Sequence, residues 1–350
     1  MPDSTAVCLS VDGRMLYPAF FVACSVISAV ADKGREFDVV VVAPAGDLTA
    51  EHRYFAKARG IILDDSLDAA ELSTVYIQQD RFSPAALVRL LLPRHFRDRY
   101  RRLIYLDADL TIHGDISVLF DLDMLGKSVA AVPAGRVLLN LPDPERTWVM
   151  NHFAELGMTP PYRYFNAGVM LIDPQTWCAN QIGERTIAFI KANPELCYLL
   201  DEDGLNAVLD GDVLDISPTW NTRPEAFMRG EALPMIMHYA GPNKPWKRFR
   251  KFKRLFEHRD AYRLYEEFFR DTPWPDWLSS QWTVGDLIGS LRHEVTAAWN
   301  KWTCKDPLHD PVRQAAYETE LAHYNTVTWY ADVEQKLVEP AATGTGLQQE

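Results

Sequence analysis

Cysteine is scarce and scattered in this chain. The five thiols, Cys8, Cys24, Cys178, Cys197 and Cys304, form no C-x-x-C pair, which excludes a disulfide-stapled scaffold and a zinc ribbon. Their spacing fits a reducing compartment, with most of them serving as small buried hydrophobes. Basic residues are in deficit: 36 Lys and Arg stand against 48 Asp and Glu, for a net charge of −12 and a pI near 5.3. Nucleic acid is not expected as a partner of such a chain. Long hydrophobic runs are missing too. Residues 19–30, the longest apolar stretch near the N-terminus, are too few to cross a bilayer and include Ser and Cys. The opening Met-Pro-Asp-Ser-Thr carries no basic region ahead of an apolar core, so no secretory signal is expected. No internal repeat is visible. The expectation is a cytoplasmic chain, soluble or attached only to a membrane surface.

What is present is an ordinary globular composition. The 350 residues are 47% hydrophobic, enough for a full core and for about two domains, or one large domain with an appendage. The first half alternates strand and helix patterns. Residues 6–11, 37–43 (FDVVVVA), 60–63 and 102–106 (RLIYL) read as strands, and 17–31, 49–59 and 84–96 as helices. Pro84 after Ser83 is a helix-start signal. This rhythm predicts an α/β fold with a mostly parallel sheet covered on both faces, with ligands beyond the carboxyl ends of its strands. Further on, 164–173 and 235–239 read as strands, 174–192 and 201–209 as helices.

The most informative stretch is RLIYLDADL, beginning at Arg102. An apolar strand delivers Asp107 and Asp109 where a buried sheet meets solvent, and residues two apart in extended chain project the same way. Two such carboxylates repel unless a cation sits between them. Mg²⁺ or Mn²⁺ would take a few carboxylates and fill its remaining positions with phosphate oxygens and water. Asp-x-Asp pairs also occur at Asp121, Asp201 and Asp210; the preceding strand sets this one apart. A second segment, His238-Tyr-Ala-Gly-Pro-Asn-Lys-Pro-Trp246, offers a neutral imidazole to complete such a site, Gly241 for close backbone approach and Lys244 as a mobile charge suited to phosphate.

YLDADL, YFNAGVMLID, DEDGLN and HYAGPNKPW occur in that order. Together they resemble the motifs of family 8 glycosyltransferases, in particular the bacterial galactosyl- and glucosyltransferases that build lipopolysaccharide outer cores. VCLSVDGRMLYPAFFVACSVIS is similar to that family's opening strand and first helix, and the resemblance covers about residues 6–250. It implies a GT-A-type nucleotide-sugar-binding fold, UDP-galactose or UDP-glucose as donor, Mn²⁺ (or Mg²⁺), retention at the anomeric carbon, and a glycan acceptor that is lipid-linked in the relatives. By position, it gives Asp107, Asp109 and His238 to the metal and Asp12 to the uracil. Arg89 falls near the donor sugar, Asn166 and Asp201 on sugar hydroxyls, Gly241 and Lys244 on the diphosphate. The family commonly has Asp-Gln-Asp where this chain has Asp201-Glu202-Asp203, which puts a carboxylate beside the reacting carbon, as nucleophile or ion-pair partner, or turned outward. Gly13-Arg14-Met15 also replaces the usual Asp/Asn-Tyr after the uracil-binding Asp.

Asp107-Ala-Asp109-Leu-Thr111 also matches the DxDxT pattern of haloacid-dehalogenase phosphatases, with Asp107 as nucleophile and Gly211–Asp215 supplying a later acidic motif. That nucleophile normally lies near the N-terminus, and the phosphatase reading leaves HYAGPNKPW unexplained. A non-catalytic sugar-nucleotide-binding module is the third reading. Residues 1–246 are expected to form the catalytic domain, 247–340 a basic, Trp-rich and mostly helical region, and 341–350 a flexible tail. Residues 244–259 hold eight Lys or Arg and one acid, interleaved with Phe and Trp. They read either as a patch for anionic lipid on the inner face of the membrane or as a solvated face whose aromatics are core. Trp274, Trp277, Trp282, Trp299 and Trp302 follow. Leu287, Ile288, Leu291, Val295, Ala298, Trp299 and Trp302 share one helical face.

Overall fold

The structure, a computed structural model, describes residues 3–77, 83–133, 145–158, 164–224, 234–241, 244–246, 256–281 and 295. The basic stretch 247–255, Trp282, Trp299, Trp302, nearly all of the proposed helical face and the tail 341–350 lie outside the described residues. The strands, in chain order, are β1 (Thr5–Ser10), β2 (Asp38–Val42), β3 (Ile62–Asp64), β4 (Arg102–Leu106), β5 (Leu110–Ile112), β6 (Val129–Pro133), β7 (Phe165–Ile172), β8 (Val213–Asp215) and β9 (Ile236–His238). Seven of them form one sheet in the order β3-β2-β1-β4-β7-β6-β8, and β5 pairs with β9 in a second, two-stranded sheet. All pairs in the large sheet are parallel except those made by β7, which runs against both β4 and β6.

That one reversed strand shapes the functional edge. Because β7 is antiparallel to β4, with Leu106 opposite Val169, its first residues lie beside the carboxyl end of β4. YFNAG is thereby carried to LDAD, although some 60 residues separate them. The small sheet completes the edge: Leu110 pairs with His238, which places the imidazole next to Asp109.

Alternate residues of β1 serve two cores. Val7 and Leu9 face one cluster, Ala6 and Cys8 the other, and all four are fully buried. Helix α1 (Leu16–Ala29) covers the first face. The second is covered by α6 (Pro174–Ala179), α7 (Ile182–Ala192) and α8 (Asp201–Leu209). Helix α9 (Phe256–Arg270) joins the first core: Tyr265 stacks on Phe21 with ring centroids 3.8 Å apart, and Phe269 stacks on Trp277. The aromatics described beyond residue 246 thus include core members. No helix among the described residues is long and apolar enough to cross a membrane.

Two helices expected as single rods are broken. Between residues 84 and 96 stand α3 (Ala85–Val88) and α4 (Leu92–Phe96). Pro93 has no N–H to donate to the Arg89 carbonyl, so the ladder fails there and the chain turns at Arg89. The second break, between α6 and α7, falls at Gln181, whose φ of +53° is left-handed. Helices α2 (Ala50–Ala58) and α5 (Glu145–Glu155) complete the set used here. Helix α8 opens on three acids, favourable at a helix N-terminus, and is fastened to β7 by Asn206. The Asn206 amide accepts from Phe165 N (2.8 Å) and donates to Phe165 O (2.9 Å) and Glu202 O (2.8 Å), fully buried.

Asn206→Ala strands the Phe165 N–H and C=O in the core. Each buried unpaired group costs about 1–3 kcal/mol, so urea unfolding should show a loss of at least that size. An unchanged midpoint would mean that α8 is held elsewhere.

Candidate active site

Strand β4 ends in a polar cluster prepared by Tyr105, whose hydroxyl donates to Asp107 Oδ1 at 2.9 Å. Asp107 N donates to Gly168 O at 2.8 Å, extending the β4–β7 ladder by one step and fixing the backbone of the first acid. Asp109 leads into β5 and is buried; its carbonyl accepts from Tyr239 N at 3.0 Å. His238, 2% exposed, points Nε2 at both acids, 3.3 Å from Asp109 Oδ1 and 3.7 Å from Asp107 Oδ2. One ligand atom from each of the three lies within 4.8 Å of the others. Two carboxylates and an imidazole suit a divalent ion such as Mn²⁺ or Mg²⁺.

This convergence needs a glycine at position 168. A Cβ there would come within 2.3 Å of His238 Cε1 and 2.8 Å of Asp107 Oδ2, closer than any packed side chain tolerates. The imidazole is held from behind by Asn221, whose Oδ1 stands 2.9 Å from His238 Nδ1. Asn221 Nδ2 donates to Asn166 Oδ1 at 2.8 Å, and Asn166 Nδ2 donates to Glu202 Oε2 at 2.7 Å. Ala167 N donates to the same Glu202 oxygen at 3.1 Å.

Arg89 is the hub. Its buried guanidinium pairs with Asp107 Oδ1 through Nη2 and with Asp201 Oδ2 through Nε, each at 2.9 Å, and donates to Ala167 O at 2.9 Å. Its carbon lies 4.6 Å from the centroid of the Tyr105 ring. The third acid of DEDGLN serves structure: Asp203, fully buried, accepts from Tyr164 Oη (2.6 Å) and Leu199 N (2.5 Å) and lies 3.0 Å from His152 Nε2. It braces Leu200, which enters α8 at φ +54°, ψ −111°, a conformation that costs a non-glycine residue about 1–3 kcal/mol.

Negative charge exceeds its compensation here. Asp107, Asp109, Asp201, Glu202 and Asp203 are gathered around the cations of Arg89 and Lys244, and the titration shifts reflect this. Burial pushes the Glu202 carboxyl up to about 8, and the charges of Asp203 and Asp201 add to the effect. Burial likewise raises Asp201 to about 6, against the pull of Arg89. Burial also opposes the charge of Asp109, but Lys244 and His238 outweigh it and hold that carboxyl well below the usual range.

The remaining expected residues lie around this centre. Lys244 is paired with Asp109 Oδ2 and also reaches Tyr239 O at 3.5 Å. Gly241 follows β9 on an open surface with φ +98°, which favours glycine. Asp12 stands beyond β1, one strand from β4, and its carboxylate is taken by Arg14 at 2.9 Å. The unusual Gly13-Arg14 pair thus folds back on the acid before it, and Gly13 N donates to Asp47 Oδ2 at 2.7 Å. A separate cleft of about 460 Å³ opens between α1, β5 and α9, lined by Phe21, Arg59, His113 and Phe268 among others, and none of the residues expected in the site lines it.

The model of the glycosyl transferase family 8 matches residues 9–250. The chain belongs to glycosyltransferase family 8. Among curated relatives, General stress protein A of Bacillus subtilis is 29% identical over 210 residues, covering 55% of this chain and 68% of that protein. The lipopolysaccharide 1,3-galactosyltransferase of Salmonella typhimurium is 27% identical over 260 residues, covering 70% and 73%. Among solved structures, galactosyltransferase LgtC, in complex with donor and acceptor sugar analogs, superposes with a TM-score of 0.61 at 22% identity, over 75% of this chain and 95% of that one. The bifunctional glycosyltransferase WbbM gives a TM-score of 0.61 at 20% identity, covering 79% of this chain and 51% of WbbM. The fold is of the GT-A type, as the motifs implied.

For this glycosyltransferase the phosphatase alternative falls away on geometry as well as on family. Asp215 ends β8, at the sheet edge, three strands from β4, or about 14 Å at ordinary strand spacing. Sequence reasoning missed Tyr105, Gly168 and Asn221. Gly168 was visible inside YFNAG as a glycine in a strand, a sign of close approach. Asn221 ends a single 3-10 turn, Pro218–Asn221, 17 residues before His238, and no local signal marks it as functional.

Glu202 also yields a stability test. Its folded value of about 8 lies above the usual value of about 4.3, so the folded state holds this proton more tightly. The stabilisation is full at acid pH and is lost as pH rises through that window. Glu202→Gln keeps an acceptor oxygen and cannot ionise. Its stability relative to wild type should therefore rise between about pH 5 and pH 8 in denaturant titrations; parallel profiles would contradict a raised Glu202 value.

Proposed function

We propose that this family 8 chain is a retaining hexosyltransferase. It moves galactose or glucose from a UDP-sugar to a glycan acceptor of the lipid-linked, lipopolysaccharide type, with Mn²⁺ or Mg²⁺ bound by Asp107, Asp109 and His238. The observation that carries the reading is the convergence of those three side chains within 4.8 Å, at the strand ends where such sheets bind ligands. The names of the Salmonella galactosyltransferase and of an Escherichia coli lipopolysaccharide 1,2-glucosyltransferase, 26% identical over 192 residues, support the donor and acceptor classes.

Roles follow from the surroundings. The cation, when bound, supplies electrostatic stabilisation to the departing diphosphate. Lys244, paired with Asp109, is placed to reach the same phosphates, with Gly241 allowing backbone approach. Asp12 serves the uracil, and its pairing with Arg14 provides a rearranged base contact. Asn166 and Asp201 hold sugar hydroxyls, with Arg89 fixing Asp201. The Oε2 atom of Glu202 already accepts two N–H groups, as a glutamine oxygen would. This favours a positioning role for Glu202 and attack by the acceptor on the face that the diphosphate leaves, over a covalent glycosyl-enzyme. Residues 1–246 form the catalytic unit in this reading, with 247–340 as a helical annex, 341–350 as a tail, and the basic stretch after Trp246 resting on the inner face of the membrane.

The deciding experiment is a UDP-release screen over nucleotide sugars, with and without Mn²⁺, adding candidate acceptors. UDP-galactose or UDP-glucose should be turned over only with the metal, and the product anomer should match the donor by NMR. Asp109→Asn should lower turnover by orders of magnitude. Near-normal rates in that variant would count against the metal assignment. Glu202→Gln should keep measurable transfer with retained configuration; complete loss, with a trapped glycosyl adduct on the wild type, would establish the covalent route instead.

A further inference from the structure

The hydrogen bonds behind His238 run in one direction. Asn166 is oriented from two sides: its Oδ1 accepts from Gly168 N at 3.1 Å, and its Nδ2 donates to Glu202. Because Asn166 Oδ1 can only accept, the Asn221 group facing it at 2.8 Å must be the NH₂. The Asn221 oxygen is therefore the atom that faces His238 Nδ1 at 2.9 Å, and Nδ1 must carry the hydrogen. That leaves the Nε2 lone pair aimed at Asp107 and Asp109, the tautomer a metal ligand needs. Asn221 cannot readily drift from this place. It is 7% exposed and ends a turn laced to β9 by Met235 N→Thr219 O, Thr222 N→Ile236 O and His238 N→Thr222 O, all between 2.8 and 2.9 Å.

We infer that Asn221 is a positioning residue with two separable tasks: it sets the His238 tautomer for the cation, and it ties the cation site to the Asn166–Glu202 pair on the sugar side. The inference rests on the proposed reading of the cation site. A partly buried chain of donors pointing one way is mutually reinforcing, so His238 and Glu202 are held as one unit although they come from different segments. Asn221 touches no reacting atom in this account. It acts through His238 on one side and through Asn166 on the other.

The two tasks respond differently to substitution. Asn221→Asp keeps an oxygen for the His238 Nδ1–H but loses the donor to Asn166 and sets a carboxylate against its oxygen. Asn221→Leu removes both arms. Calorimetric titration with Mn²⁺ alone should give Asn221→Asp an affinity within about threefold of wild type, or tighter, and Asn221→Leu an affinity weaker by about 10–100-fold, the usual effect of losing a ligand's outer partner. With the UDP-sugar that the wild type turns over, kcat should fall at least tenfold in Asn221→Asp despite its intact metal binding. Circular dichroism confirms folding, and Asn221→Asp, nearly isosteric, carries the test if the leucine variant does not fold. Equal Mn²⁺ affinity and equal kcat in Asn221→Asp and wild type would overturn the tie to the sugar side. Weakened Mn²⁺ binding in Asn221→Asp would overturn the tautomer role. A wild type that binds no Mn²⁺ would overturn this inference together with the reading of the site, an outcome distinct from failure of the variants alone.

Discussion

A single buried guanidinium joins the pieces of this site. Arg89 reaches Asp107 at the end of β4, Asp201 at the start of α8 and the Ala167 carbonyl on β7. Those contacts fall at three separate places along the chain, Asp107, Ala167 and Asp201. Breaking a buried ion pair by removing one partner typically costs about 3–5 kcal/mol, and here two carboxylates would be left behind. Arg89 is placed by the break between α3 and α4, where Pro93 prevents the helix from continuing. A helix-breaking residue thus decides where the central cation of the site stands.

Around that hub the charge balance remains negative, and the molecule handles it in three ways. Asp107 and Asp109 turn one oxygen to a basic side chain and the other toward His238, leaving room for a cation's charge between them. Asp203 is fully committed to Tyr164, Leu199 N and His152 and fixes the strained entry to α8. Burial pushes the Glu202 carboxyl up to about 8, and its Oε2 accepts from Asn166 Nδ2 and Ala167 N. At the departure from the common Asp-Gln-Asp pattern, the carboxyl presents to Asn166 and Ala167 an acceptor oxygen of the kind an amide would also offer.

Much of the fold was legible. The strands at 102–106 and 165–172 and the helix at 201–209 were read almost to the residue, because a short apolar run or an acidic helix start is a strong local signal. Strands β5, β6 and β8 were not read. β5 and β8 have three residues each, too short for a period of two to declare itself, and β6 (VAAVP) is uniformly small and apolar, consistent with burial in a strand or a helix. The reversed direction of β7 has no local signature either, since direction is set by which neighbour a strand finds, and it is this reversal that brings Asn166 to Asp107.

The parts were legible in the order of residues alone: an acidic pair after an apolar run, a histidine and lysine on a later segment, an Asn-Ala-Gly strand entry and a triple-acid helix start, in an order that resembles one enzyme family. Residue type and local period suffice for that, because they report short-range preferences of the chain. Which atoms meet came from the packing of the folded chain. The closeness of Gly168 to the imidazole, the three-way grip of Arg89, the pairing of Lys244 with Asp109 and the place of Asn221 between His238 and Asn166 depend on strand order, register and burial. Those are properties of distant segments packed together, and contacts across 17 to 135 residues of chain leave no periodic trace in the segments that make them.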